Sequence, residues 1–413
     1  MNLRRTPHLL LRCLRTWMAA GAATLAGLLA AEDWPHYLGP RHDGVSIETN
    51  RVDRWAGAAP AVSWRAQVGL GFSAVSIAQG RLLTAGHRAG RDIVWCLDAA
   101  TGKPVWQRDY PAELGDKFYD GGTGATPTVE GDRVYVLSRW GDVLCLGAAD
   151  GKVHWQRQLA KQEDARVPGW GWNGSPLVLG RLLLLNVGAA GWALDKATGK
   201  TVWKSADGEA GYSTPQPITW HGQPRVVFSS ENAYTAVNPQ TGAAVWSIRW
   251  LTRYGVNAAR ALVRGDEVFV SSGYSKGAAL FRVGEGGAEE VWRQRQFRNQ
   301  FSSALLLDGH LYGVDGDNDA RAKLKCVDWK TGEVQWEAEL GFGSLTAAGD
   351  RLIVLTAAGE LVMAAAAPKS FQPVARAKVL EGRCWTMPVL SQGRLYCRNA
   401  AGELVCLDLR RGQ

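Results

Sequence analysis

The chain has 413 residues, of which 46% are hydrophobic and 21% charged, a composition that is ordinary for a globular protein and excludes wholesale disorder. Its formal net charge is +8, but residues 1–31 contain four Arg and no acidic residue, so the remainder carries only about +4. Because no cluster of five or more Lys and Arg residues occurs, the charge pattern gives no indication of nucleic-acid binding. The 49 Gly and 19 Trp residues instead indicate many tight turns between short strands.

Residues 1–31 have the organisation of a secretory signal peptide. A basic segment precedes an apolar, Ala- and Leu-rich stretch (17–31) that ends in small residues. About 15 apolar residues are too few to span a bilayer comfortably. We therefore predict cleavage near Ala30 or Ala31 and a secreted or periplasmic protein of a Gram-negative-type bacterium. An uncleaved membrane anchor of the same composition is the alternative.

One segment recurs along the rest of the chain. Residues 96–106 read CLDAATGKPVW, and related segments end in Trp at intervals of 43 to 49 residues, while Trp64 extends the series backwards by 42. A second pattern, two apolar segments joined at a Gly turn, occurs eight times between these segments. Together the two patterns define a unit of four short strands, which is typical of a propeller blade.

The physical chemistry of one unit explains its sequence. Strands A and B meet at the Gly turn, strand C ends in Leu-Asp, and a Thr-Gly turn leads into strand D, which carries the Trp. A single meander cannot bury both of its faces, so the units must stack radially. We predict that one indole is buried between each pair of neighbouring blades, with its N–H donating to one acceptor. This structural role is assigned to Trp64, Trp106, Trp155, Trp203, Trp246, Trp292 and Trp336.

The last unit supplies only three strands before the chain stops. The segment AVSWRAQV (61–68) has the pattern of the missing strand D. We therefore predict an all-β fold, an eight-bladed β-propeller of four-stranded antiparallel blades over residues 61–413, closed by the N-terminal strand and preceded by an N-terminal extension (32–60). An open solenoid of the same units would leave sheet edges exposed.

The repeat resembles that of the pyrroloquinoline-quinone (PQQ) propeller family, whose hallmark is A-x-D-x-x-T-G-x-x-x-W. The resemblance covers about residues 64–413, and the segment DWPHYLGPRHDGVS (33–46) resembles the opening of secreted PQQ-like propellers from bacteria. The repeat is also similar to those of BamB-type scaffolds of outer-membrane protein assembly and of quinoprotein alcohol dehydrogenases. It implies the propeller fold and not a particular activity.

The chain departs from both better-known relatives. Unlike the quinoprotein alcohol dehydrogenases, it has no pair of adjacent cysteines, and neither a calcium-ligand set nor a catalytic Asp can be placed on matching motifs. Unlike the BamB-type scaffold, it has no lipid-anchor Cys after the signal. The resemblance therefore leaves three functions open. The first is a non-catalytic propeller that binds a protein, peptide or glycan. The others are a PQQ-dependent oxidoreductase and a BamB-like assembly scaffold. No cofactor is expected, although PQQ is possible, and no catalytic or metal-binding residue is assigned.

The loops that connect strand D of one blade to strand A of the next are the longest and carry many aromatic residues. These loops gather on one face around the propeller axis, and functional residues concentrate on loops that a rigid scaffold carries. We predict a ligand-binding face made by Tyr119, Trp170, Trp172, Asn173, Tyr212, Asn257, Phe301 and Trp385. The alternative is that these side chains only pack the loops onto the propeller.

Six cysteines follow the signal segment, and four of them occupy the same position of the repeat. Equivalent positions in different blades are too far apart for a disulfide. Only Cys397 and Cys406, which flank one predicted hairpin, form a candidate pair. The sequence does not indicate the oligomeric state.

Overall fold

The computed structural model describes residues 32–49, 51–55, 57–117, 119–317 and 321–410. The predicted signal segment (1–31) lies outside these residues. The described part folds into 33 strands and one short helix, α1 (Leu159–Gln162). None of its helices is long and apolar enough to cross a membrane.

The strands form eight sheets, each built mainly from four antiparallel strands, and the sheets are arranged as the predicted eight-bladed β-propeller. The first two strands, β1 (Val45–Ser46) and β2 (Ala61–Gln67), precede blade 1. Blades 1 to 4 contain β3 (Ser76–Ala78), β4 (Arg81–Arg88), β5 (Arg91–Asp98), β6 (Pro104–Pro111); β7 (Thr128–Glu130), β8 (Arg133–Leu137), β9 (Asp142–Gly147), β10 (Val153–Gln158); β11 (Leu177–Leu179), β12 (Leu182–Leu185), β13 (Trp192–Asp195), β14 (Thr201–Lys204); and β15 (Gln216–Trp220), β16 (Gln223–Ser229), β17 (Ala233–Val237), β18 (Ala244–Arg249). Blades 5 to 8 contain β19 (Leu262–Arg264), β20 (Glu267–Ser272), β21 (Gly277–Gly284), β22 (Gly287–Gln294); β23 (Leu305–Leu307), β24 (His310–Asp315), β25 (Lys323–Asp328), β26 (Val334–Ala338); β27 (Gly343–Ala348), β28 (Arg351–Thr356), β29 (Glu360–Ala365), β30 (Gln372–Lys378); and β31 (Val389–Ser391), β32 (Arg394–Arg398), β33 (Glu403–Asp408).

The N-terminal strand β2 closes the ring as predicted. It pairs antiparallel with β33, with Trp64 opposite Cys406, and so supplies strand D of blade 8. The first and last blades are thereby joined within one sheet, and neither end of the array is left as an open face.

Most blade-interface indoles donate a hydrogen bond to the next blade. The Nε1–H of Trp106 donates to the main-chain oxygen of Ala148 at 3.0 Å, and the ring covers Gly151 of the same turn, whose positive φ of 68° suits Gly. The corresponding bonds run from Trp64 to Ala99 (3.1 Å), Trp155 to Lys196 (3.0 Å), Trp203 to Pro239 (2.8 Å), Trp292 to Trp329 (2.9 Å) and Trp336 to Ala367 (2.8 Å). The repeated Trp is therefore an inter-blade contact in which a large apolar ring and one hydrogen bond act together.

Trp246 is the exception among these indoles. It is buried, with 4% of its surface exposed, but its Nε1 has no hydrogen-bond partner within the described residues. The next blade replaces the long turn between strands C and D with a tight turn in which Gly284 pairs directly with Gly287. The main-chain oxygen that accepts the indole N–H elsewhere belongs to that longer turn, so the shorter turn removes the acceptor.

The segment before β2 packs against the propeller and crosses its axis. The main-chain oxygen of Pro35 accepts a hydrogen bond from Val129 of blade 2 at 2.7 Å, whereas that of Gly44 accepts from Thr346 of blade 7 at 2.6 Å. Strand β1 then pairs in parallel with β27 and adds a fifth strand to blade 7. Trp34 pairs with Ile77 of blade 1, whereas His42 and Asp43 contact Arg260 at the entry to blade 5, which lies opposite blade 1 in a ring of eight. The segment therefore lies across the axial channel.

The candidate disulfide is not formed. Cys397 and Cys406 are both buried and free. In the pair of β32 with β33, Cys397 lies opposite Val405, while Cys406 lies opposite Tyr396. Adjacent positions of a strand point to opposite faces, so the two thiols belong to different sides of the blade, and the predicted pairing is wrong.

Candidate functional site

An axial cavity of about 330 Å³ lies among the loops that join each strand D to the next strand A. We call this cavity the funnel. The connection into every one of the eight blades contributes at least one lining residue, either from its loop or from the start of its innermost strand. Its volume is within the range of ligand pockets, roughly 300–1,000 Å³.

The structure brings six of the eight predicted face residues together in the wall of the funnel. These residues are Tyr119, Trp170, Asn173, Tyr212, Phe301 and Trp385. They come from five different loops, so the propeller geometry and not local sequence places them side by side. That they bind a ligand remains a prediction.

Trp172 and Asn257 do not lie in this wall, so their placement there needs correction. Trp172 is only 1% exposed and packs in the core between blades 2 and 3. The amide nitrogen of Asn257 donates to the main-chain oxygens of Ser230 (2.8 Å) and Trp250 (3.0 Å), so this residue ties its own loop to the turn between β16 and β17. Loop membership alone could not distinguish side chains that face the axis from those that anchor the loop beneath it.

The aromatic wall is continuous on one side. The ring of Phe72, which the sequence did not single out, stacks on Trp385 with centroids 5.3 Å apart and contacts Tyr119 at 5.6 Å. Trp385 also contacts Phe301 at 5.2 Å. Phe72 lies on the short loop between blades 8 and 1. The one sequence signal for its place in the wall was an aromatic residue directly after the glycines Gly69 and Gly71.

A second aromatic group lines the wall from the loops that follow blades 2 and 3. Trp170 and Tyr212 meet edge to face, with centroids 5.7 Å apart. In an edge-to-face contact the positive edge of one ring meets the negative face of the other, which is favourable. The contact fixes the two rings against each other in the wall of the funnel. The funnel therefore combines two preassembled aromatic surfaces.

Arg139 positions Tyr119. Its guanidinium donates to the Tyr119 hydroxyl and, at 3.3 Å, to the main-chain oxygen of Gly122, and it lies 5.0 Å from the Tyr119 ring centre. Burial raises the pKa of Tyr119, so the phenol stays protonated at neutral pH. Because the phenolic oxygen accepts from Arg139, its own O–H remains able to donate to a ligand.

The inner end of the funnel is formed by the N-terminal extension and by Arg260. Tyr37 and Leu38 of the extension line it. Arg260 is 6% exposed, and its guanidinium donates to the main-chain oxygens of His42 (2.6 Å) and Asp43 (2.8 Å). Burial lowers the pKa of Arg260 to about 10, so the side chain remains charged at neutral pH.

The sequence held one signal for Arg260 that the repeat analysis missed. In several other blades a hydroxyl residue lies just before the innermost strand. In blade 2 this residue is Thr126, whose main-chain N–H donates to the hydroxyl of Ser175 in blade 3 at 2.9 Å. The N–H of Arg260 donates in the same way to Ser303 at 3.0 Å. An arginine therefore occupies a position that elsewhere holds a small polar residue beside the channel.

The two histidines of the extension do not add charge near Arg260 at neutral pH. The imidazoles of His36 and His42 stack with centroids 4.0 Å apart. Burial lowers the pKa of His36 to about 4 and that of His42 to about 3. Among the described side chains that line the funnel, Arg260 is thus the one charged group.

A second cavity, of about 640 Å³, shares Tyr119 and Trp385 with the funnel. The ion pair between Asp120 and Arg383, 2.5 Å apart, lies in its wall and joins two different loops. The guanidinium of Arg383 also lies 4.5 Å from the Trp385 ring centre. Trp385 is therefore held by contacts on the outer side as well as by the funnel rings.

A family model described as outer membrane protein assembly factor BamB matches residues 90–338 and 320–413. The chain belongs to this family. No curated protein matches it by sequence. Among solved structures, BamB from Moraxella catarrhalis is similar at 19% identity and a TM-score of 0.62, covering 86% of this chain and 99% of that one.

Quinoprotein enzymes share the fold of this BamB-family propeller. The quinohemoprotein alcohol dehydrogenase from Comamonas testosteroni has 12% identity and a TM-score of 0.66, covering 93% of this chain and 83% of that one. A europium-containing methanol dehydrogenase has 12% identity and a TM-score of 0.64, covering 92% and 90%. At these identities the likeness concerns the fold alone.

The funnel of this BamB-family chain does not fit a metal-assisted quinone. Its described lining contains no Asp, Glu, His or Cys side chain, whereas calcium takes six to eight oxygen ligands that commonly include carboxylates. In the described ranges no group of three such residues could hold a metal ion. We therefore derive no reaction step from a metal-bound quinone.

Proposed function

We propose that this BamB-family protein is a secreted or periplasmic, non-catalytic propeller that binds a peptide segment of a protein partner in the funnel. The observation that carries the proposal is the pair of aromatic surfaces around a cavity of about 330 Å³. Aromatic rings provide large contact areas with few rotatable bonds, which favours binding at a low entropic cost. A glycan is the alternative ligand for such a surface.

The wall is suited to an extended peptide because hydroxyl and amide groups line it together with the rings. Asn173, Thr214 and Ser302 line the funnel between the aromatic side chains. A few polar groups within an apolar cavity fix the orientation of a ligand, while the apolar walls supply most of the binding free energy. This combination requires no catalytic group.

The test compares two tryptophans that lie on the same face of the propeller. Trp385 lines the funnel, whereas Trp140 lies outside it and donates its indole N–H to the main-chain oxygen of Glu113 at 2.7 Å. Immobilised wild type, Trp385→Ala and Trp140→Ala would be incubated with a random hexapeptide library and with a neutral glycan array. We expect Trp385→Ala to weaken retention about tenfold or more and Trp140→Ala to leave it unchanged.

Two outcomes would contradict the proposal. Equal retention by Trp385→Ala and wild type would place binding elsewhere. Retention of glycans with no retention of peptides would favour the alternative ligand class. A parallel titration with PQQ, followed by absorbance and by a dye-linked alcohol assay, tests the oxidoreductase alternative, since saturable binding with turnover would replace the non-catalytic function.

Participation in outer-membrane protein assembly is a second candidate, and it is favoured by the family match. It predicts that the tagged protein co-purifies with a β-barrel assembly complex from its own cells. The same Trp385→Ala variant would show whether the funnel or another surface makes that contact.

A further inference from the structure

We infer that the funnel binds the carboxyl terminus of its peptide ligand, with Arg260 holding the terminal carboxylate. The inference rests on the proposed function, because it names the part of the peptide that enters the same site. Three features carry it: the closed inner end of the funnel, the free hydrogen-bond donors of Arg260, and the lack of a carboxylate partner for its charge.

The inner end of the funnel is closed by the extension. The segment from Trp34 to Asp43 spans the axis between blade 1 and the entry to blade 5, and Tyr37 and Leu38 of this segment line the cavity. A polypeptide that reaches Arg260 therefore cannot continue past it. Such a closed end favours a chain terminus over the middle of a segment.

The guanidinium of Arg260 has two N–H groups without partners in the described part of the chain. Of its five N–H groups, three are used by the main-chain oxygens of His42 and Asp43 and by the side-chain oxygen of Gln216. The two that remain are Nε–H, which has no partner among the described residues, and one N–H of Nη2. Nε is buried without an acceptor in that part of the chain, and a carboxylate is the acceptor that pairs most strongly with a guanidinium.

The charge of Arg260 also has no described carboxylate at ion-pair distance, and Asp43 acts on it only at longer range. No carboxylate in the described ranges lies within 4.0 Å of its guanidinium, and all of its acceptors are neutral oxygens. The carboxylate of Asp43 is engaged elsewhere, since one oxygen accepts from Val45 at 2.9 Å and the other lies 3.6 Å from Arg41. A buried charge is costly unless it is paired, so a carboxylate at this end would gain both charge pairing and hydrogen bonds.

A second buried arginine shows why the cavity matters. Arg398 also lacks a carboxylate partner, but it donates to the main-chain oxygens of Ser73, Ala85 and Gly69 inside the contact between blades 8 and 1. It does not line the funnel. The Nε of Arg398 also lacks a partner in the described structure, so what distinguishes Arg260 is that it borders the funnel, whereas Arg398 is a brace within the fold.

The experiment uses matched peptides on the immobilised full-length protein. A library of N-acetylated hexapeptides with randomised last three positions would be prepared once with free carboxyl termini and once with carboxamide termini. We expect the wild type to retain free-acid peptides about tenfold or more over the amides, because the amide loses the charge and one acceptor oxygen. Peptides with an aromatic residue at the end should be enriched.

Two variants assign the effect to Arg260. Arg260→Gln should abolish the preference for free acids, and Arg260→Lys should retain a reduced preference, since an ammonium keeps the charge but not the planar guanidinium donors. Thermal unfolding of both variants is measured in parallel, because Arg260 also contacts the extension. If Arg260→Gln is unstable, Arg260→Lys and the free-acid to amide ratio of the wild type decide the question.

The failures of the two proposals are distinguishable. Equal retention of acids and amides by the wild type would overturn the carboxylate assignment and leave the funnel as a peptide site. Preferential retention of amides that contain an internal Asp or Glu would show that the carboxylate belongs to a side chain and would overturn the terminus. No retention of either library would contradict the proposed peptide function itself.

Discussion

Aromatic side chains serve two different regions of this propeller, the blade interfaces and the funnel. At an interface, an indole such as that of Trp106 is buried and donates its N–H to the next blade. In the funnel, Trp385 contacts Phe72 and Phe301 but also borders an open cavity. The same residue type therefore stabilises the fold in one region and offers contact area to a ligand in the other.

The largest loss of stability is expected when an interface indole is removed. Trp106→Ala removes a buried indole and its hydrogen bond, and it should lower the free energy of unfolding by about 3–5 kcal/mol. Its neighbour Val105 on the same strand is 49% exposed, so Val105→Ala is the matched control and should change little. Urea unfolding followed by Trp fluorescence measures both. A loss below about 1 kcal/mol for Trp106→Ala would contradict the interface role.

A smaller effect is expected at the glycine beneath the ring. Gly151 and Gly131 both have positive φ, 68° and 57°, so Ala at either position costs about 1–2 kcal/mol. A Cβ at Gly151 would also lie 2.6 Å from the Trp106 ring, whereas a Cβ at Gly131 meets nothing within 4 Å. Gly151→Ala should therefore cost about 1–3 kcal/mol more than Gly131→Ala in the same urea experiment. Equal losses would show that the ring can move away freely.

The smallest effect concerns one hydrogen bond. Trp106→Phe loses the bond to Ala148, but Trp246→Phe removes an indole N–H that has no partner in the described structure. We expect Trp106→Phe to be more destabilising by about 1 kcal/mol, since a satisfied bond contributes and a buried unpaired donor does not. Differential scanning calorimetry of the two variants measures the difference. The reverse order would imply that Trp246 has an acceptor after all.

The blade unit was predictable because its signals are local. The Leu-Asp, Thr-Gly and Trp positions lie within about a dozen residues, and each has a physical role in one turn and one strand. The exception at Trp246 follows from the altered turn between strands C and D in the next blade, a change that is visible in the sequence near Gly287. Its consequence for the indole acceptor needed the packing of two blades.

The funnel was predictable only in part. The loop pattern indicated five aromatic residues of the wall and Asn173, but Trp172 and Asn257 point into the structure beneath it. Trp170 and Trp172 are two residues apart on one loop and differ in environment because the chain turns at Gly171, which has a φ of 70°. The direction of a loop side chain depends on contacts that sequence position does not reveal.

The sequence by itself determined the number of blades, their strand order, the closing strand and the interface indoles, because turn chemistry and strand alternation repeat with a regular period. Only the tertiary structure decided that the N-terminal extension crosses the axis and that Arg260 lies at the inner end of the funnel. The contact between Arg260 and His42 joins residues 218 positions apart. No local pattern encodes such a contact, since it exists only after the ring has closed around the segment.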